Sequence, residues 1–434
     1  MKELLLKGGR VTDPAQGLSD AALNVRLKDG RICGLEAPGT PEGRARSLDC
    51  TGLVIVPGLI DLHTHLREPG YEYKETIASG GAAAAAGGFT AVCCMANTNP
   101  VNDSGSVTEF ILRQAEAAGR VRVYPIAAVT KGLRGEELAE YGELSAAGAV
   151  ALSDDGHPLM DSRLMRRAME YAAGFGLKLI DHPEEATLSA GGAMNEGAVS
   201  TRLGLPGIPA AAEEVHVARD IALAELTGLS LHLAHISTAG SVRLVAEAKA
   251  RGVSVTAETA PHYLTLTEEA VIGYGTSFKI NPPLRRASDV AALRAAVADG
   301  TIDCIATDHA PHSTIEKDVE FEAASMGTIG LETALPIALS LVREGLIDLA
   351  RLVELLSAAP ARVLSLPGGS LKVGGAGDVT VINPKAEWLV ERSSLRSKSA
   401  NSAFLGRQMV GRAAVTIVGG KVVHSALRGL RAEV

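Results

Sequence analysis

Residues 229–264 read LSLHLAHISTAGSVRLVAEAKARGVSVTAETAPHYL, and this stretch contains the unit from which most of the chain is built. LSLHLAHIS is a short apolar run that ends on polar residues. AGSVRLVAEAKARG places apolar residues at helical spacing, and Gly252 closes it. VSVTAETAPHYL then repeats the pattern of the first run. Strand, helix, strand in succession is the βαβ unit of a parallel sheet.

The same alternation extends in both directions. Eight strand candidates follow one another: GLIDLHTH, FTAVCCMANT, VRVYPIAAVT, GAVALSDDG, LKLIDHPE, LSLHLAHIS, VSVTAETAPHYL and IDCIATDHAPH. Helical patterns such as SVTEFILRQAEAAGR and SRLMRRAMEYAAGFG lie between most of them. Eight such repeats predict an α/β fold, a TIM (β/α)8 barrel, with polar residues gathered at the C-terminal strand ends. A doubly wound open sheet is the alternative, but no GxGxxG follows an early strand. The flanks differ. Short period-two runs with Gly, Asp and Pro open the chain, and GDVTVINP and AAVTIVGGKVVH close it on a GG hairpin signal. The expected organisation is a barrel over residues 57–365, with residues 1–56 and 366–434 combining into a small β-sandwich domain.

Composition narrows the function. The net charge of -8 and the lack of a dense Lys/Arg patch argue against a nucleic-acid partner. Five scattered cysteines (Cys33, Cys50, Cys93, Cys94, Cys304) without a CxxC pair predict reduced, buried thiols in a cytoplasmic protein. The opening MKELLLKGGRV offers no hydrophobic region of signal-peptide length. Residues 77–96 carry no charge, but Gly80, Gly81, Gly87, Gly88 and a five-alanine run predict a small-residue helix, a turn and a strand rather than a membrane span.

The chemistry lies at the predicted strand ends. His63 and His65, two apart in LIDLHTHLREPG, can present both imidazoles to one ion. His182 ends LKLIDH, His235 ends LSLHLAH, Asp308 ends DCIATD, and Asp155 follows GAVALS, where it could bridge two ions. Nitrogen and oxygen donors without cysteine suit Zn²⁺, with Mn²⁺ or Co²⁺ as substitutes. Zinc lowers the pKa of water from 15.7 to about 7, and a second ion ~3.5–4 Å away could share the hydroxide and polarise a carbonyl. Asp308 would bind metal through one oxygen and carry the proton to a departing nitrogen with the other.

GLIDLHTHLREPG, AVCCMANTNP, ALSDDG, IDHPE, LAHIST, TAETAPHYL, KINPPLR, IATDHAPH and the closing NSAFLGRQMVGRAAVTIVGGKVV together resemble the motif series of bacterial dihydroorotases in the amidohydrolase superfamily. The resemblance covers nearly the whole chain. It is greatest to the class I type, in which an aspartate replaces a carboxylated lysine at the bridging position. It implies reversible cyclisation of N-carbamoyl-L-aspartate to L-dihydroorotate in pyrimidine (UMP) biosynthesis, with one or two zinc ions per subunit. It also implies that His63, His65 and Asp308 hold one zinc, and that His182 and His235 hold the second with Asp155 between. For the substrate, the resemblance implies Arg67 and Asn97 at a carboxylate, Asn281 at the pyrimidine ring and His312 at the mouth. Met326 and Gly327 would offer backbone groups to the ring, and His65 would face it. A homodimer, or a complex with aspartate transcarbamoylase, is compatible with the resemblance.

Two other functions fit less well. Hydantoinases and allantoinases bridge their metals with a carboxylated lysine, whereas GAVALSDDG has none and Lys178 lies four residues short of His182. A non-catalytic partner in aspartate transcarbamoylase assembly would have lost its ligands, and this chain keeps them. Asp154 rivals Asp155 as the bridge, and only the motif match favours Asp155. His232, three residues before His235, is expected on the opposite strand face as a hydrogen-bonded core histidine. His157, His262 and His309 lie near the motifs without an assigned role. His216 and His424 are expected at the surface.

Overall fold

The computed structural model describes residues 3–427 and 429–433, so Met1, Lys2, Arg428 and Val434 of the flanking segments lie outside the described residues. All eight predicted core strands form, and they make one parallel sheet. They are Leu59–Thr64, Phe89–Cys94, Arg122–Ala127, Ala151–Leu152, Lys178–Asp181, Leu231–Leu233, Val255–Thr259 and Cys304–Ile305. Neighbours in sequence are neighbours in the sheet. The ring closes just beyond the short last strand, where Thr64 pairs in parallel with His309 and the His65 amide donates to the His309 carbonyl at 2.9 Å. This is the predicted (β/α)8 barrel.

The barrel interior is filled, not open. Ile60, Leu62, Ala91, Cys93, Ile126, Ala151, Ile180 and Cys304 pack together inside. The alternate residues, among them Leu59, Val92, Leu152, Leu179, Leu231 and Ala257, pack outward against helices. The segment that imitated a membrane span is the helix Ile77–Gly87 followed by the strand Phe89–Cys94. Its small residues let it sit buried between the barrel and the terminal β-sheet, where Thr416 Oγ1 donates to the Ala85 carbonyl at 2.7 Å. Thr76 caps its start, and Gly88 ends it at φ +95°, a conformation that favours glycine. No helix among the described residues is long and apolar enough to cross a membrane.

The two ends of the chain share a sheet. Val54–Pro57 lies between Arg10–Asp13 and the C-terminal strand Val379–Leu389, which pairs in turn with Gln408–Val418, and that strand with Lys421–Ser425. The GG hairpin forms at Gly419 and Gly420, both with positive φ. A second sheet of four N-terminal strands packs on the first through Leu6, Val25, Ile32, Ile55, Val381 and Ile417. Arg122 of the third barrel strand bonds Asp378 twice, at 2.6 and 3.1 Å, and ties sandwich to barrel.

Three expectations fail at single residues. Cys33 is exposed, because its side chain falls on the outer face of Arg31–Glu36. His216 is buried beside Asp181, with Nε2 3.0 Å from Oδ2, and burial pushes its pKa down to about 4. His424 is half-buried in the last strand, and its Nε2 has no partner among the described residues.

Close packing around the small-residue helix makes a stability prediction. A Cβ on Gly87 would lie 2.1 Å from the Leu331 carbonyl oxygen, which is backbone and cannot swing away. Gly87→Ala should therefore lose about 1–3 kcal/mol through overpacking. A urea midpoint equal to that of the parent chain would contradict this packing.

Candidate active site

Each predicted ligand lies at or just beyond a strand end, on the face of the barrel where all eight strands point. His63 and His65 lie at the end of the first strand, Asp155 follows the fourth, His182 the fifth, His235 the sixth and Asp308 the eighth. None is more than 5% exposed. Asp155 sits at the centre. Its Oδ1 is 3.3 Å from His63 Nε2, 3.3 Å from His235 Nε2 and 3.4 Å from His182 Nδ1, and its Oδ2 is 3.4 Å from His65 Nε2. Asp308 Oδ1 is 3.0 Å from His65 Nε2 and 3.6 Å from His63 Nε2. His182 Nδ1 and His235 Nε2 face each other at 2.8 Å.

Two overlapping groups thus have metal-ligand spacing: His63, His65 and Asp308, and His63, Asp155 and His235. His182 joins the second through His235. The electrostatics call for positive charge there. Burial disfavours charge on His63, yet Asp155 and Glu258 raise its pKa well above the usual imidazole value. Burial likewise opposes charge on His182, but Asp155 and Glu184 push it up to about 10. Buried carboxylates that draw protons onto buried imidazoles are short of cations. His63 Nε2, aimed at both aspartates, has no hydrogen-bond partner among the described residues. The donor set of imidazoles and carboxylates without thiolate fits one or two divalent ions such as zinc.

Three ligands have their outer nitrogens held by oxygen. Glu258 Oε1 lies 2.9 Å from His63 Nδ1, Asn97 Oδ1 2.9 Å from His65 Nδ1, and Glu184 Oε2 2.7 Å from His182 Nε2. Such bonds fix the tautomer and aim the other nitrogen inward. Glu184 and Glu258 were missed in the sequence, although both stand in the motifs DHPE and TAE. Asn97 and Asn281 stand beside the ligands: Asn97 also approaches the Asp155 carbonyl at 3.3 Å, and Asn281 Nδ2 donates to Glu184 at 2.8 Å. Backbone strain also collects here. Arg67, His235 and Asp308 have φ of +65°, +32° and +46°, conformations that L-residues hold only where surrounding packing enforces them.

Asp154 faces away. It accepts from the Val129 and Thr130 amides at 2.7 and 3.1 Å and from the Thr130 hydroxyl. His232 also differs from expectation. It is buried and hydrogen-bonded, but inside the barrel below the ligands, with Nε2 3.2 Å from Glu258 Oε2. The regular strand ends at Leu233, so simple alternation does not carry through to His235.

Above the ligands lie the other predicted residues. Arg67 donates to the Pro311 carbonyl at 3.2 Å and approaches His312 Nε2 at 3.4 Å. Among the described residues no carboxylate pairs with its guanidinium. His312 Nε2 is 2.8 Å from the Met326 carbonyl and Nδ1 is 3.4 Å from Lys74 Nζ. Burial and the flanking cations Arg67 and Lys74 push His312 down to about 3, so it is neutral. The Gly327 amide donates to the Lys279 carbonyl at 2.8 Å. Asn401, from the closing motif, donates to the Ala310 and Gly327 carbonyls at 3.0 and 3.1 Å and accepts from the His312 amide at 3.1 Å. The C-terminal segment thereby clamps the wall that carries His312, Met326 and Gly327.

A (β/α)8 barrel that gathers four imidazoles and two carboxylates at its strand ends has the build of a metal-dependent hydrolase. Among solved structures, the L-hydantoinase (dihydropyrimidinase) from Arthrobacter aurescens superposes with a TM-score of 0.87 at 24% identity, covering 100% of this chain and 98% of its own, which shows the fold. A family model described as Dihydro-orotase-like matches residues 52–241. Proteins named dihydroorotase share far more sequence. That of Geobacter sp. (strain M21) is 58% identical over 98% of this chain and 99% of its own length. That of Anaeromyxobacter dehalogenans (strain 2CP-1 / ATCC BAA-258) is 56% identical over 97% and 98%. The chain belongs to the dihydroorotase family.

The geometry separates the two adjacent aspartates. Asp155→Asn should lower the divalent metal bound per chain, measured by elemental analysis. Asp154→Asn should keep the metal and lower the thermal midpoint. The reverse pattern would exchange their roles.

Proposed function

We propose that the barrel mouth holds one or two zinc ions and interconverts N-carbamoyl-L-aspartate and L-dihydroorotate, as an enzyme of the class I type. His63, His65 and Asp308 would hold one ion, and His182 and His235 the other, with Asp155 between them. When bound, the ions supply Lewis acidity, bringing the pKa of water down to about 7 and polarising the ring carbonyl. Asp308 moves the proton: its carboxylate takes it from the attacking water and gives it to the ring nitrogen as the amide bond breaks. In ring closure the same carboxylate runs the transfer backwards.

One observation carries the choice of substrate. Arg67 is a guanidinium beside the ligands without a carboxylate partner among the described residues, and its planar fork suits the carboxylate of dihydroorotate. Asn97, 2.9 Å from His65 Nδ1, would add hydrogen bonds to that carboxylate. Asn281, His312, His65 and the backbone of Met326 and Gly327 would surround the ring. The neutral His312 can donate or accept without repelling Arg67. A cytoplasmic setting, a homodimer and a complex with aspartate transcarbamoylase are each compatible with this reading.

Ring opening of L-dihydroorotate, followed by absorbance, tests the assignment. Activity should fall on chelation and return with zinc, and hydantoin and allantoin should remain closed; opening of those rings alone would overturn the substrate reading. Asp308→Asn should reduce turnover at least about 100-fold in both directions while the fold survives. Arg67→Ala should raise KM roughly 10-fold or more, the loss of a charge-assisted contact.

A further inference from the structure

Beneath the ligands the carboxylate bonded to His63 leads on to a second buried histidine. Glu258, on the seventh strand Val255–Thr259, is 1% exposed. Its Oε1 is 2.9 Å from His63 Nδ1 and its Oε2 is 3.2 Å from His232 Nε2. His232, itself 0% exposed, is fixed on its other side by Thr256 Oγ1 at 2.8 Å. Among the described residues no lysine or arginine pairs with Glu258. A carboxylate in this position costs several kcal/mol unless both oxygens are compensated. The compensation comes from the two imidazoles, one of which leads directly to the metal-ligand cluster.

The direction of the bonds follows from the donor inventory. An ionised carboxylate only accepts, so His63 must donate through Nδ1, and Nε2, which faces Asp155 and Asp308, is the nitrogen left to bind an ion once the ion displaces its proton. His232 must donate through Nε2, which leaves Nδ1 to accept from the Thr256 hydroxyl. The bonds converge on Glu258: Thr256 donates to His232, His232 donates to one carboxylate oxygen, and His63 donates to the other. We propose that Glu258 is a positioning residue that fixes His63 in its metal-facing tautomer, and that His232 acts by holding Glu258 in place. The inference rests on the reading that His63 holds an ion. It gives His232 a purpose beyond filling the core.

The test is a competition titration of the apo protein against a chromophoric zinc chelator, with far-ultraviolet circular dichroism as the check on folding. Glu258→Gln keeps the volume but replaces an acceptor with an amide and should weaken zinc binding about 10–100-fold. His232→Leu should weaken it in the same direction, because it strands one oxygen of Glu258. His232→Gln retains a donor and should bind zinc more tightly than His232→Leu. Zinc that binds the parent chain and Glu258→Gln equally would overturn this inference alone. Zinc that fails to bind the parent chain would overturn the metal reading with it. Should Glu258→Gln not fold, the His232→Leu titration decides, and an unchanged affinity there overturns the proposal.

Discussion

Negative charge buried at the mouth of the barrel is the constraint around which the rest of the molecule is arranged. Asp155 and Asp308, each 5% exposed, stand among four imidazoles, and burial opposes the ionised state of both. The nearby histidines nevertheless hold both carboxyls below the usual carboxylate range. That balance requires five strands to deliver their polar ends to one place, which a closed parallel barrel does because every strand ends on the same face. It also requires His235 and Asp308 to keep positive φ, at a cost of about 1–3 kcal/mol each, held by the filled interior below.

The parts of the chain outside the barrel reach the same place indirectly. The small-residue helix Ile77–Gly87 brings the terminal sheet close, and the segment leading into Gln408–Val418 reaches the wall beside the ligands. There Asn401 binds three backbone groups of the wall around His312 and Gly327. Lys317 adds a second clamp from within that wall: its ammonium donates to the carbonyls of Thr276, Lys279 and Ser325 at 2.9, 3.3 and 2.6 Å. The wall carrying Met326 is thereby joined to the segment carrying Asn281.

Strand identity and the convergence of His63, His65, Asp155, His182, His235 and Asp308 were legible because the period of the apolar residues changes at each element and polar residues recur at the strand ends. The supporting layer was not. Glu258 looks like any polar residue leaving a strand, and only the seventh strand's position beside the sixth brings it to His232. His216 looked like a surface residue because its partner Asp181 lies far away in sequence, on the fifth strand. His232 was read by strict alternation, which fails where the strand ends at Leu233. Pairings across the barrel depend on closure, and no local pattern encodes closure.

The arrangement around His312 leaves one guanidinium available to an anion. Arg67 and Lys74 both approach His312, yet Lys74 is already paired with Glu316 at 2.6 Å. With Lys74 paired to Glu316, Lys317 bound to three carbonyls and His312 kept uncharged, Arg67 is the positive group next to His312 whose fork has no carboxylate partner among the described residues. An anionic substrate would therefore gain one charge-assisted contact without displacing an existing ion pair. A neutral ring would leave Arg67 unsatisfied, with only a carbonyl and an imidazole beside it. In this reading, selectivity for a carboxylate comes as much from what Arg67 lacks as from what it offers.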